Sequence, residues 1–171
     1  MRAWQVLGPF PAPGRRPFGP PLPPDGGRVQ LDGTWKGAAG DIRWTRHESP
    51  GALIDFASLF RPSEDVVAYA ACWVHSDRGR SATLAVGSDD DCIVWVNRRL
   101  VLRSGNRSSL TPGEFIEAIA LSAGWNEVLV RVNNLSGPWG FCLELLDPLA
   151  REPLSGVRFS ATPSQTEPAT R

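Results

Sequence analysis

Short apolar runs in which buried-type residues recur at every second position fill this chain from residue 4 to residue 159. Period two belongs to β-strands, whose side chains point alternately to opposite faces. The densest block is 66–103. It holds one run at 66–75, a second at 82–86 with Leu84 and Val86 on one face, a third at 92–96 and a fourth at 100–102. Turn chemistry separates them at Ser76-Asp77-Arg78-Gly79, at the charged stretch 87–91 and at Asn97-Arg98. This spacing predicts an antiparallel meander inside a sandwich or barrel. Further strands are expected at 4–10, 42–45, 115–121, 127–133 and 141–146, with short edge strands at 28–31, 34–36 and 157–159. Within 127–133, Val128, Val130 and Val132 share one face, and Leu129 and Arg131 the other. Residues 53–60 differ. Leu53, Phe56, Leu59 and Phe60 have helical spacing, and Pro62 limits the helix to a turn or two.

Eight to ten strands with at most one short helix make an all-β antiparallel sandwich, most simply a jelly roll. Eight prolines between residues 9 and 24 deny that segment a place in a sheet ladder, so it is expected to cross the surface as an extended ordered loop. Residues 160–171 are rich in Ser, Thr and Pro and read as a disordered tail or linker. The expected organisation is one domain over 1–159 followed by that tail. A chain of 171 residues is long enough to bury a real core.

Composition removes some functions. The formal net charge is zero, which argues against a nucleic-acid binder. Lys36 is the only lysine, an arginine bias that reads as the imprint of a GC-rich bacterial genome. Cys72, Cys92 and Cys142 lack metal-knuckle spacing and read as buried thiols, with a Cys72–Cys92 disulfide open if those strands are neighbours. No run has signal-peptide or membrane-spanning character, so no membrane partner is expected. The compartment stays open: cytoplasmic for a full-length chain, secreted for an excised domain.

One series of segments has a familiar look. It runs WQVLGPFPAPG from Trp4, PPD at 23–25, GDIRW at 40–44, VAYA at 67–70, LAVGSDDDCIVWVN at 84–97, LSAGWNEVLVRVNN at 121–134 and WGFCLEL at 139–145. The series resembles the galactose-binding-like jelly-roll modules, similar to sugar-binding and accessory domains of glycosidases and of large bacterial multidomain proteins. The resemblance implies the fold for most of the chain and a sugar-related role, although such modules also serve as spacers and docking domains. One departure stands out: these modules carry Asn-Gly at a turn where this chain has Asn97-Arg98, and a two-residue hairpin turn wants positive φ at both central positions.

Candidate binding residues follow from chemistry. Asp89, Asp90 and Asp91 supply hard oxygen donors, so Asp89 and Asp91 are candidates for a structural Ca²⁺, the only cofactor the residues suggest. Asp89 and Asp90 can equally accept from sugar hydroxyls, or the three can cap their own turn. Sugar rings stack on flat apolar faces. Trp139, in a Ser-Gly-Pro-Trp-Gly loop, is the best-placed loop aromatic, and Trp95 lies either under a covering loop or on a platform. Trp125 is expected to plug the end of the sandwich, and Trp44 and Trp73 to be core. Arg103, Asn106, Arg107, Asn133 and Asn134 are polar groups on or beside loops able to converge at one end. His47 and His75 have no nucleophile or ligand partner at a telling spacing, so catalysis has little support. The expected function is a non-catalytic carbohydrate-binding accessory module, with a glycan or a partner protein domain as ligand. The alternative is a structural or protein-docking domain that binds no sugar.

Overall fold

The computed structural model describes residues 3–12, 18–105 and 109–163. Among them the chain forms thirteen strands and one helical turn: β1 (Ala3–Pro11), β2 (Trp35–Gly37), β3 (Gly40–Ile42), β4 (Thr45–Glu48), β5 (Leu53–Asp55), α1 (Phe56–Leu59), β6 (Val66–Ser76), β7 (Arg80–Asp89), β8 (Cys92–Val96), β9 (Arg99–Ser104), β10 (Phe115–Leu121), β11 (Gly124–Asn134), β12 (Gly140–Leu146) and β13 (Val157–Ser160). The large sheet has the order β4-β1-β6-β11-β8-β9, with β13 also beside β6. The small sheet has the order β10-β7-β12-β5, and β2 and β3 form a separate hairpin. Every pairing is antiparallel, so the molecule is an antiparallel β-sandwich.

The two-residue period decides what each sheet buries. From β6, Val66, Ala68, Ala70, Cys72 and Val74 enter the core between the sheets. They meet Val128, Val130 and Val132 of β11 and Cys92, Val94 and Val96 of β8. Leu84 and Val86 of β7 and Phe141, Leu143 and Leu145 of β12 face them from the small sheet. The other face of β6 is apolar too. Val67, Tyr69, Ala71 and Trp73 point outward, with Leu7, Phe10, Ile93, Trp95 and Leu129. An outward face this apolar needs a cover. The arm at 18–34 supplies it, laying Phe18, Leu22, Val29 and Leu31 on the sheet. The crossing loop is therefore an ordered layer with its own core. Residues 13–17 of the proline-rich stretch lie outside the described residues.

Several expectations are corrected. The block 66–103 is not a meander: β6, β8 and β9 belong to the large sheet and β7 to the small one, so the chain switches sheets twice. Alternation says which side of a strand is buried, and both layouts bury the same sides. Residues 28–31 form no strand and belong to the arm. Helical geometry at 53–60 is confined to Phe56–Leu59, because Leu53–Asp55 pairs with β12. Asp55 caps the turn, its carboxylate accepting from the Ser58 N–H at 3.2 Å. Cys72, Cys92 and Cys142 are all buried, with no disulfide between Cys72 and Cys92. Ser160 ends β13 and Ala161 is buried, inside the stretch expected as tail, and 164–171 lie outside the described residues. Gly8 lets β1 lie close on β6, since a Cβ there would stand 2.8 Å from the Cβ of Ala68. Among the described residues no helix is long and apolar enough to cross a membrane.

Candidate functional site

The aspartate turn joins β7 to β8 and is drawn onto the end of β11. The Asp90 N–H donates to the Asn133 carbonyl at 3.1 Å, and the Asn133 N–H donates to the Asp91 carbonyl at 2.9 Å. The Asp90 carboxylate accepts the Leu135 N–H at 2.9 Å, and the Ser88 hydroxyl donates to the Asp90 carbonyl at 2.8 Å. All three aspartates are buried. Burial, and then the neighbouring Asp90 charge, push the Asp89 carboxyl up to about 6. So the turn and the 133–135 segment do meet, but through bonds internal to the fold. Among the described residues no group of three or more His, Cys, Asp or Glu could hold a metal ion.

The aromatics expected at this end are elsewhere. Trp139 is 2% exposed and packs inward. Its ring lies 5.3 Å from that of Phe56 and 6.0 Å from that of Phe60, and its Nε1–H donates to the Val132 carbonyl at 3.2 Å. Loop position did not make it a surface, because the open end beside α1 needed a large apolar plug. Asn134 is buried and donates to the Ser63 carbonyl. Trp95 lies under the arm: a Cβ on Gly26 would stand 3.4 Å from its Nε1. The Arg103 guanidinium sits 5.0 Å over the Phe18 ring, pinning the arm by a cation–π contact. Asn106 and Arg107 lie outside the described residues.

A buried polar cluster fastens the middle of the arm. Asp25 receives the Tyr69 O–H at 2.6 Å on one carboxylate oxygen and Arg131 Nη1–H at 2.6 Å on the other. Arg131 Nε–H donates to the Asn133 side-chain carbonyl at 3.1 Å, and Nη2–H donates to the Phe18 backbone carbonyl. Burial pushes the Tyr69 hydroxyl far above its ordinary range, so it stays a donor. The Asp of the PPD segment thus meets the outward Arg of β11, and an otherwise costly buried charge is paired and hydrogen-bonded.

Past this lock the cover opens. On the outward face of the large sheet lies a cleft of about 530 Å³, lined by Arg28, Val29, Trp73, Asn97, Arg98, Ser122, Trp125, Glu127 and Pro163. Strand register explains the grouping. Glu127 stands opposite Trp73 across β11 and β6, and Trp125 opposite His75, with which its ring makes an edge contact at 5.1 Å. The Asn97-Arg98 turn closes one side. Asn97 N–H donates to the Glu127 carbonyl at 2.8 Å, and the Asn97 side-chain oxygen accepts the Glu127 N–H at 2.9 Å. The arm contributes Arg28 and Val29, and the Val29 N–H donates to Glu127 Oε2 at 3.2 Å. Burial raises the Glu127 carboxyl, while the Val29 N–H and the charges of Arg28 and Arg98 draw it down. Asn97 φ is 51° and Arg98 φ is 67°, the doubly left-handed geometry expected of this turn.

Of these residues the sequence reading singled out Trp125 and Trp73 as packing groups and Arg98 as a conformational oddity. It missed Arg28 and Glu127. For Glu127 a signal existed, since the period of β11 places Trp125, Glu127, Leu129 and Arg131 on one face. Arg28 gave none, because its place depends on how the arm docks.

No protein-family profile matches the chain, and no characterised protein matches it in sequence. Solved structures share its fold. A β-glucosidase from Kluyveromyces marxianus superposes with a TM-score of 0.50 at 9% identity, over 64% of this chain and 15% of that one. An anti-sigma factor domain-containing protein from Clostridium clariflavum gives 0.51 at 13% identity, over 90% of this chain and 46% of that one. The chain therefore spans less than half the length of either, and what it shares with them is the β-sandwich.

Proposed function

We propose that this chain is a non-catalytic carbohydrate-binding module whose ligand lies in the Trp73–Trp125 cleft. The cleft itself carries the reading. Its volume, about 530 Å³, falls within the roughly 300–1,000 Å³ usual for small-ligand sites. The half-buried Trp125 indole offers an apolar face to a pyranose ring over the floor made by buried Trp73, and Asn97, Ser122, Glu127 and the two arginines offer donors and acceptors to its hydroxyls. Among the described residues Glu127 is the only carboxylate in the lining, whereas glycoside hydrolysis generally uses two acids flanking the bond. The fold shared with part of a β-glucosidase is consistent with a place beside glycan-processing domains.

Calorimetric titration against a panel of neutral and acidic oligosaccharides tests the proposal. Binding of at least one saccharide, weakened tenfold or more by Trp125→Ala, is the expected outcome. Absence of binding across the panel, or binding indifferent to Trp125, would refute it.

A second reading, docking onto another protein domain, has one observation in its favour. The outward face of the small sheet leaves Leu53 47% and Ile116 44% exposed. Light scattering across a concentration series reports on that face.

A further inference from the structure

Resting on the carbohydrate reading, we infer that the cleft selects a sugar bearing a carboxylate, a uronic acid, with Arg28 and Arg98 as the residues that receive the carboxylate. Charge points there first. The whole chain is neutral, yet among the described residues this cleft gathers two guanidiniums against one carboxylate. That carboxylate is already engaged, since Glu127 Oε2 accepts the Val29 N–H at 3.2 Å. Four ion pairs form among the described residues, and neither Arg28 nor Arg98 belongs to one. Both cations act on Glu127 without forming an ion pair with it, and two of them against that one carboxylate leave the described lining net positive, which favours an anion.

Residue type narrows the anion. Guanidinium presents paired N–H donors in a plane, matched to a carboxylate in two parallel hydrogen bonds. The half-buried Trp125 indole beside those donors adds a platform for an attached ring. A pyranose with a carboxylate on it satisfies both at once.

The backbone gives an independent reason. Arg98 holds φ at 67°, where a side chain is disfavoured and glycine is at ease. A hairpin turn needing positive φ at both centres is served best by Asn-Gly. The turn nevertheless carries an arginine whose side chain reaches the cleft. Local conformation opposes this residue, and a ligand contact explains why it is there.

The experiment titrates the protein with trisaccharides of galacturonate, glucuronate and mannuronate, with their methyl esters, and with neutral trisaccharides. The esters keep the ring and remove the charge. We expect at least one uronate to bind ten or more times tighter than its ester, with the preference shrinking as salt rises. Arg28→Gln and Arg98→Gly should each shrink the preference for the acid over its ester about tenfold. Arg98→Gly should also melt at or above the parent temperature, so its lost preference cannot be ascribed to unfolding. Equal affinity for acid and ester, or a neutral sugar bound best, overturns the uronate assignment and leaves the carbohydrate reading standing. Failure of every saccharide overturns the carbohydrate reading. Acetate or citrate competing as well as a uronate overturns the sugar half alone.

Discussion

Arg98 and Asp89 both sit in turns, and each holds a chemically unfavourable state for a different reason. At Arg98 the burden is conformational, and glycine would relieve it by up to about 1 kcal/mol. At Asp89 it is electrostatic: burial and the adjacent Asp90 raise the carboxyl to about 6. In the unfolded chain that carboxyl returns to about 3.9. Folding thus favours its protonated form. The stabilisation is fully present below about pH 4 and is lost as pH rises through 6. Asp89→Asn removes the titration while keeping an oxygen acceptor. Its melting temperature should exceed the parent's at pH 7 and converge with it at pH 4. Thermal melts at each unit between check this, and a gain of the same size at every pH would exclude titration as the cause. Acidic character at 89–91 was plain in the sequence. Its use was not, because the Leu135 N–H and the Asn133 backbone groups that bind the turn are brought near only by the fold. Trp139 teaches the same lesson, since a glycine-rich flank reveals a loop but not the direction of its indole.

The arm is the element that separates this sandwich from a bare pair of sheets. Proline content made it legible as an extended crossing segment. Its docking was not legible, because the hydrophobic face it covers exists only after β1, β6, β8 and β11 have paired. What fixes its position is Asp25, held by Tyr69 and Arg131. Arg131 is 2% exposed, so removal of its partner leaves a buried cation without a counter-charge. Asp25→Ala should therefore lower stability by about 3–5 kcal/mol. Replacing the pair together, Asp25→Leu with Arg131→Met, should recover most of that loss, since apolar groups of similar size tolerate the site. Urea denaturation of the three variants decides the matter. A loss under about 1 kcal/mol for Asp25→Ala would show that water reaches Arg131. Because the arm carries Arg28 and Val29, the lock also positions one wall of the cleft three residues downstream.

At the scale of the molecule, the all-β sandwich was readable because alternation survives at nearly every strand, from Val66 to Leu145. The site was not, because its lining comes from the arm, β6, the β8–β9 turn, the β10–β11 turn, β11 and Pro163, and no local pattern joins these. The two outer faces also differ in a way that sequence alone conceals. On the large sheet Ile93 and Leu129 are 2% and 1% exposed beneath the arm, while on the small sheet Leu53 and Ile116 remain open. An apolar side chain in water adds nothing to folding, so replacing it should leave the fold alone. Leu53→Lys with Ile116→Lys is expected to shift stability by no more than about 0.5 kcal/mol per substitution. Ile93→Lys, at an outward position of the other sheet, should unfold the protein or free the arm, because it buries an unpaired cation. If the small-sheet face docks a second protein surface, the double lysine variant has a further consequence: concentration-dependent association seen by light scattering in the parent disappears at unchanged melting temperature. Parent and variant scattering alike as monomers at every concentration would mean that copies of the chain do not use this face, leaving Leu53 and Ile116 as isolated surface residues with no energetic part to play.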